Sequence, residues 1–275
     1  MEKQLIFEGG KLVYLDEGVG EALVLLHGYC EDSFVWCGWV QALKTKQRVV
    51  CIDLPGFGKS AVNENASVDF YFYARAVAAV LNKEKITKAT IGGHSMGGYT
   101  ALHFAEKFPA LLSGLVLVNS HCFEDAPEKK ENRGKSIRFI QKHGTSFFLQ
   151  EFYPNLFEPA FTQKNHALIE LLHERGKLLS PFPILQAAEA MRMRQDKSAV
   201  LKRLQVPVLM LCGALDTAVP KDYSLRMASL PRVCHFHLFK NCGHMVMYEE
   251  KGYALKIVKA FFEAINEAVE EAPLV

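Results

Sequence analysis

The chain has 275 residues, 49% of them hydrophobic and 23% charged, a globular balance long enough for one large domain or for a domain carrying an insert. Its 32 basic and 30 acidic residues leave a formal net charge of only +2 with no long run of one sign, which argues against nucleic acid as a partner and for a small-molecule substrate. No stretch approaches the roughly 18 apolar residues of a membrane span, and Met1-Glu2-Lys3-Gln4 does not begin a secretory signal, so a cytoplasmic location is expected.

Residues 4–7 and 11–16, joined at Gly9-Gly10, read as an antiparallel hairpin. Continuous apolar runs follow at 23–26, 49–52, 115–118 and 208–211, the pattern of strands covered on both faces. A short strand is expected at 89–91. Helical pattern lies between these runs, over 70–81 and over 99–108, the latter stopped by Pro109. Residues 234–238 read as one more strand and 252–270 as a closing helix. Such alternation predicts an α/β fold with a mostly parallel, doubly wound sheet. Residues 121–202 break it, with amphipathic helical pattern and no convincing strand. The expected organisation is therefore a core of residues 1–120 and 203–275, with 121–202 as a helical cap over the carboxyl ends of the strands. Seven cysteines without a CxxC pair, and no H-E-x-x-H motif, give no reason to expect a disulfide framework, a metal or a cofactor.

The chemistry centres on Gly93-His94-Ser95-Met96-Gly97, a G-x-S-x-G pattern between an expected strand and an expected helix. Roughly 0.06 such matches arise by chance in a chain with 19 glycines, and the strand-to-helix context lowers that further. The tight turn needs glycine on both sides and turns the Ser95 hydroxyl outward as a nucleophile. In folds carrying such an elbow the acid and then the histidine follow in the chain. Asp216 stands in the turn-rich loop after the run at 208–211, whereas its rival Asp222 opens a helix, where an acidic residue faces the dipole. Of the three later histidines, His235 and His237 alternate within a strand; His244 sits in the turn Cys242-Gly243-His244, free to reach Ser95 as a general base. The backbone N–H of Met96 and of Tyr29, in the His27-Gly28-Tyr29 turn, are the candidate donors to an oxyanion. His27 and His94 read as structural.

These segments, with Asp53-Leu54-Pro55-Gly56-Phe57-Gly58-Lys59-Ser60 and Gly213-Ala214-Leu215-Asp216, resemble the capped α/β-hydrolase superfamily of esterases and lactonases over nearly the whole chain. Gly58-Lys59-Ser60 is not a phosphate loop, since the motif's first glycine would fall on Asp53. Members that are epoxide hydrolases or dehalogenases carry Asp at the elbow, which Ser95 argues against. Carbon–carbon bond hydrolases usually carry Asn where His94 stands, and the menaquinone-pathway member typically has Arg where Tyr99 stands. The resemblance implies hydrolysis of a carboxylic ester through an acyl-enzyme, with lactone or C–C bond hydrolysis as neighbours, and a ligand sensor without turnover as the reading from another class. Phe123, Phe139, Phe147, Phe148, Phe152, Tyr153, Phe157, Phe161 and Phe182, with Met191 and Met193, suggest a cap that lines a closed pocket for a small to medium apolar or aromatic substrate.

Overall fold

The computed structural model of the protein describes residues 1–270, with side chains through residue 265. Strands β1 (Glu2–Phe7) and β2 (Gly10–Glu17) form the expected hairpin, but the turn is Glu8-Gly9, both at positive φ (45° and 81°), as a two-residue hairpin loop requires. Gly10 belongs to β2 instead. A Cβ there would lie 2.5 Å from Ala61 O, so its glycine serves close approach rather than turning.

The remaining strands are β3 (Ala22–Leu26), β4 (Arg48–Ile52), β5 (Ala89–His94), β6 (Leu112–Val118), β7 (Val208–Gly213) and β8 (Cys234–Phe239). They form one sheet in the order β1-β2-β4-β3-β5-β6-β7-β8, antiparallel at the first two pairings and parallel through the rest. Every residue of β3, β5 and β7 is buried, which explains their unbroken apolar sequence. Helix α1 (Cys37–Leu43) was not distinct in the sequence because it is only seven residues long; α2 (Phe70–Lys83) and α3 (Met96–Lys107) match the expected helices within a few residues. Asp69 caps α2 by accepting from Phe72 N at 2.7 Å.

The chain leaves β3 toward β4 on one side and returns to add β5 on the other. The order reverses there, and right-handed crossovers send the following helices to opposite faces, opening a crevice at the carboxyl ends of β3 and β5. Leu26 and Gly93 are paired at that end. The loops that follow them, carrying Tyr29 and Ser95, are therefore neighbours.

Between β6 and β7 the described residues contain no strand. They form α4 (Pro127–His143), α5 (Thr145–Phe152), α6 (Pro159–Lys164), α7 (His166–Lys177), α8 (Pro181–Met193) and α9 (Ser198–Arg203). The segment leaves and re-enters the sheet at nearly one point, since Lys197 N–H donates to Cys122 O at 2.7 Å. After β7 come α10 (Lys221–Ala228) and β8, then α11 (Val246–Glu249) and α12 (Lys251–Glu270). Among the described residues no helix is long and apolar enough to cross a membrane.

Candidate active site

Ser95 joins β5 to α3 at φ 49°, ψ −110°, a conformation held by bonds to its own backbone: Ser95 N donates to Val118 O (3.0 Å) and Ser120 Oγ donates to Ser95 O (2.8 Å). The flanking glycines are steric necessities. A Cβ on Gly93 would lie 2.2 Å from Gly97 backbone, and one on Gly97 would lie 2.4 Å from Leu26 O, so α3 could not sit against β3 and β5.

Asp216 follows β7 and His244 follows β8, and the structure brings them together with His244 Nδ1 2.7 Å from Asp216 Oδ2. Nδ1–H donates, leaving Nε2 as the unprotonated nitrogen of the neutral ring. Asp216 Oδ1 accepts from the N–H groups of Ala218 and Val219, each at 2.8 Å. Burial pushes the Asp216 carboxyl up, but the His244 partner and the donated hydrogen bonds outweigh it and hold the group below its ordinary range. Asn119, which the sequence reading missed, sits at φ 46° after β6 and donates through Nδ2 to Asp216 Oδ2 (2.9 Å) and Gly243 O (3.0 Å). The sequence signal was available: an asparagine ending a buried apolar strand suits the left-handed region.

Ser95 and His244 face one cavity of about 140 Å³, walled by Tyr29, Tyr99, Phe152, Leu156 and Met191 and by the cations Lys129 and Arg133. No hydrogen bond joins the Ser95 hydroxyl to His244; such contacts are often long before substrate binds. Among the described residues the backbone N–H groups of Tyr29 and Met96 have no partner. Asp222 is exposed in the first turn of α10, and His235 and His237 lie on the edge strand β8, none of them lining the cavity. A larger groove of about 320 Å³ lies between α2, α3 and α8, but His103 is its only histidine, with a pKa lowered by burial to about 4 and Nδ1 committed to Tyr99 O, and it holds no serine or cysteine.

The expected aromatic pocket is only partly present. Of the insert's rings Phe152 alone lines the cavity, joined by Met191; Tyr153 is buried and donates to Cys30 O, while Phe147, Phe139 and Met193 are exposed. Residue type could not tell a packing ring from a lining one, and the cations went unnoticed.

His27 and His94 are structural in different ways. His27 Nε2 accepts from Leu54 N (2.9 Å) and Nδ1 donates to Gly28 O (2.8 Å), tying the loop after β3 to the Asp53–Ser60 segment. His94 faces acceptors at both nitrogens, Glu31 Oε2 at 3.0 Å and His244 O at 2.9 Å, so the ring carries both protons and pairs with the Glu31 carboxylate. Both side chains are 1% exposed. Burial opposes each charge, yet the attraction of the pair wins: Glu31 lies below its ordinary 4.5 and His94 above its ordinary 6.5. Glu31 also accepts from Gly28 N at 2.7 Å, so one ion pair joins the Tyr29 loop, the elbow and the His244 loop.

Removing one partner of a buried pair strands the other. Glu31→Leu is expected to cost about 3–5 kcal/mol in urea denaturation. The carboxylate contributes stability above its unfolded pKa, lost as pH falls through the folded value; the imidazolium contributes below its unfolded pKa, lost as pH rises through the folded value. The gap between wild type and variant should thus be widest between pH 4.5 and 6.5 and narrow on both sides. A gap that keeps growing from pH 6 to 9 would rule out the ionised pair.

A family model described as alpha/beta hydrolase fold matches residues 21–251. The chain is 27% identical over 253 residues to 2-hydroxy-6-oxo-6-phenylhexa-2,4-dienoate hydrolase of Comamonas testosteroni, covering 86% of both chains. It is 32% identical over 209 residues to pimeloyl-[acyl-carrier protein] methyl ester esterase of Aeromonas hydrophila subsp. hydrophila, covering 74% of this chain and 80% of that one. Among solved structures, a thermophilic esterase from Thermogutta terrifontis superposes with a TM-score of 0.90 at 27% identity, covering 96% of this chain and 99% of the esterase. The enol-lactonase from Burkholderia xenovorans LB400 gives a TM-score of 0.88 at 19% identity, covering 95% and 100%, a likeness of fold alone.

Proposed function

Because the chain belongs to the alpha/beta hydrolase fold family, we propose that it is a serine hydrolase of small carboxylic esters, with Ser95 as nucleophile, His244 as base and Asp216 as the acid that orients it. The observation that carries this reading is the 2.7 Å His244–Asp216 bond at a cavity shared with a serine at positive φ. The named relatives, among them a methyl ester esterase, support it.

In this reading the Ser95 oxygen attacks the ester carbonyl while His244 Nε2 takes its proton, and the tetrahedral oxyanion lies against the free N–H groups of Tyr29 and Met96. His244 then returns the proton to the departing alcohol, leaving an acyl-Ser95. Water attacks that acyl group with His244 again as base, releasing a carboxylic acid and restoring the serine. Each imidazolium formed on the way is stabilised by Asp216, whose lowered pKa keeps it a carboxylate.

Residues 121–202 act as the cap in this scheme. Phe152, Leu156 and Met191 roof the cavity, and His244 N–H donates to Leu156 O at 2.7 Å, so the insert holds the histidine loop as well as the substrate space. A cavity near 140 Å³ suits a short acyl group, about the room that a benzene fills. Cleavage of a carbon–carbon bond beside a ketone is the second reading, favoured by the dienoate hydrolase among the relatives; the same groups would serve it.

A fluorophosphonate probe should label wild type and fail on Ser95→Ala. Turnover across p-nitrophenyl esters should peak at short acyl chains. Faster turnover of a 2-hydroxy-6-oxo-dienoate than of any ester would shift the reading to C–C hydrolysis, and labelling without turnover of either would favour a sensor.

A further inference from the structure

We infer that the cavity is built for a substrate bearing a free carboxylate besides the bond to be cleaved, with Lys129 and Arg133 as its anion subsite. This deepens the hydrolase reading above and rests on it. The two residues are four apart on α4 and share one face, which the structure turns toward Ser95 and His244 rather than toward water. Both are half-buried.

The local charges do not balance. Asp125 is the carboxylate paired here, and it is divided between two guanidinium groups, Arg133 Nε at 2.5 Å from Oδ2 and Arg194 Nη2 at 2.8 Å from Oδ1. Among the described residues Lys129 Nζ has no carboxylate within 4.0 Å; its contact is Ala218 O at 3.3 Å. Arg133 Nη1 meets only the thioether of Met191, at 3.4 Å, a weak acceptor. The other acids of the cavity wall and its triad are occupied, Glu31 by His94 and Asp216 by His244. Three cations therefore share one anion.

Lys129 is also poorly placed for stability. It stands in the first turn of α4, behind Pro127, where the helix dipole disfavours a cation, and it is four residues from another positive charge. Burial pushes its pKa down and Arg133 adds to the shift. A substrate carboxylate entering the cavity would relieve all three effects at once, through charge-assisted hydrogen bonds in a partly water-excluded site. A residue kept at such a cost to stability beside the serine is what a specificity determinant looks like.

The test compares monomethyl glutarate, which carries the carboxylate on the acyl side, and 3-acetoxypropionate, which carries it on the alcohol side, with their neutral methyl esters. One of the two acids should exceed its neutral partner in kcat/KM by about tenfold or more, and Lys129→Met should bring that ratio to near one. Lys130→Met, on the same helix but outside the cavity and paired with Glu124 at 2.8 Å, should leave the ratio unchanged. Lys129→Met should also melt at the same or a higher temperature than wild type without ligand, which a structural lysine would not do. Ratios at or below one for both acids, with Ser95-dependent hydrolysis of the neutral esters, would overturn the inference and leave the hydrolase reading intact. If no ester is hydrolysed, titration calorimetry decides separately: glutarate should bind Ser95→Ala more tightly than glutaramide, and equal binding of the two would overturn the subsite.

Discussion

Ser95→Ala is expected to lower kcat for ester hydrolysis by about 10⁴-fold or more while shifting the melting temperature by no more than a few degrees. The asymmetry follows from how the elbow is held. Its φ of 49° is fixed by hydrogen bonds to the backbone N and O of Ser95, and alanine keeps both. Among the described residues the hydroxyl has no hydrogen-bond partner, and it faces the cavity, so it adds little to packing, while in the proposed mechanism it supplies the attacking oxygen. Steady-state kinetics with p-nitrophenyl acetate and a thermal melt on the same preparation measure both halves. A loss below about tenfold would mean that another group attacks.

Asp216→Asn should cost about as much, on the order of 10⁴ in kcat, for a reason visible in the hydrogen bonds around it. Ala218 N and Val219 N both donate to Oδ1, so the amide oxygen of an asparagine must take that position. Its NH₂ then replaces Oδ2, where it would meet two donors, His244 Nδ1–H and Asn119 Nδ2. The imidazole escapes by moving its proton to Nε2, and in that tautomer it cannot accept the proton of Ser95. Asp222→Asn, in the exposed first turn of α10, should change kcat by less than about threefold. A larger loss at Asp222 than at Asp216 would reassign the acid.

The architecture was largely legible because fully buried parallel strands leave an unmistakable record: β3, β4 and β7 are continuous apolar runs bounded by turn residues. Chain order and loop position were enough to propose Ser95, Asp216 and His244, since each follows a strand at the same end of the sheet. What stayed hidden depends on contacts between distant segments. Nothing in Cys30-Glu31-Asp32 marks Glu31 as the partner of a histidine 63 residues away. Lys129 and Arg133 sit in a helix whose sequence, Pro127–His143, looks like a solvated one, and only the packing of α4 over the crevice turns them inward. For the aromatic residues of the insert, composition indicated a pocket but not which rings face it.

The single backbone hydrogen bond between Lys197 and Cys122 gives the insert a narrow neck. Its more than seventy intervening residues can vary in length and sequence without moving the ends that β6 and β7 must present, because closing a loop between two fixed neighbouring points depends only weakly on loop size. Most of the cavity's roof thus lies on a stretch of chain apart from Ser95, Asp216 and His244, and it touches the last of them through the bond from His244 N–H to Leu156 O. A lineage built this way can trade one roof for another by recombination at the neck, provided that the new roof again offers an acceptor to His244 N–H.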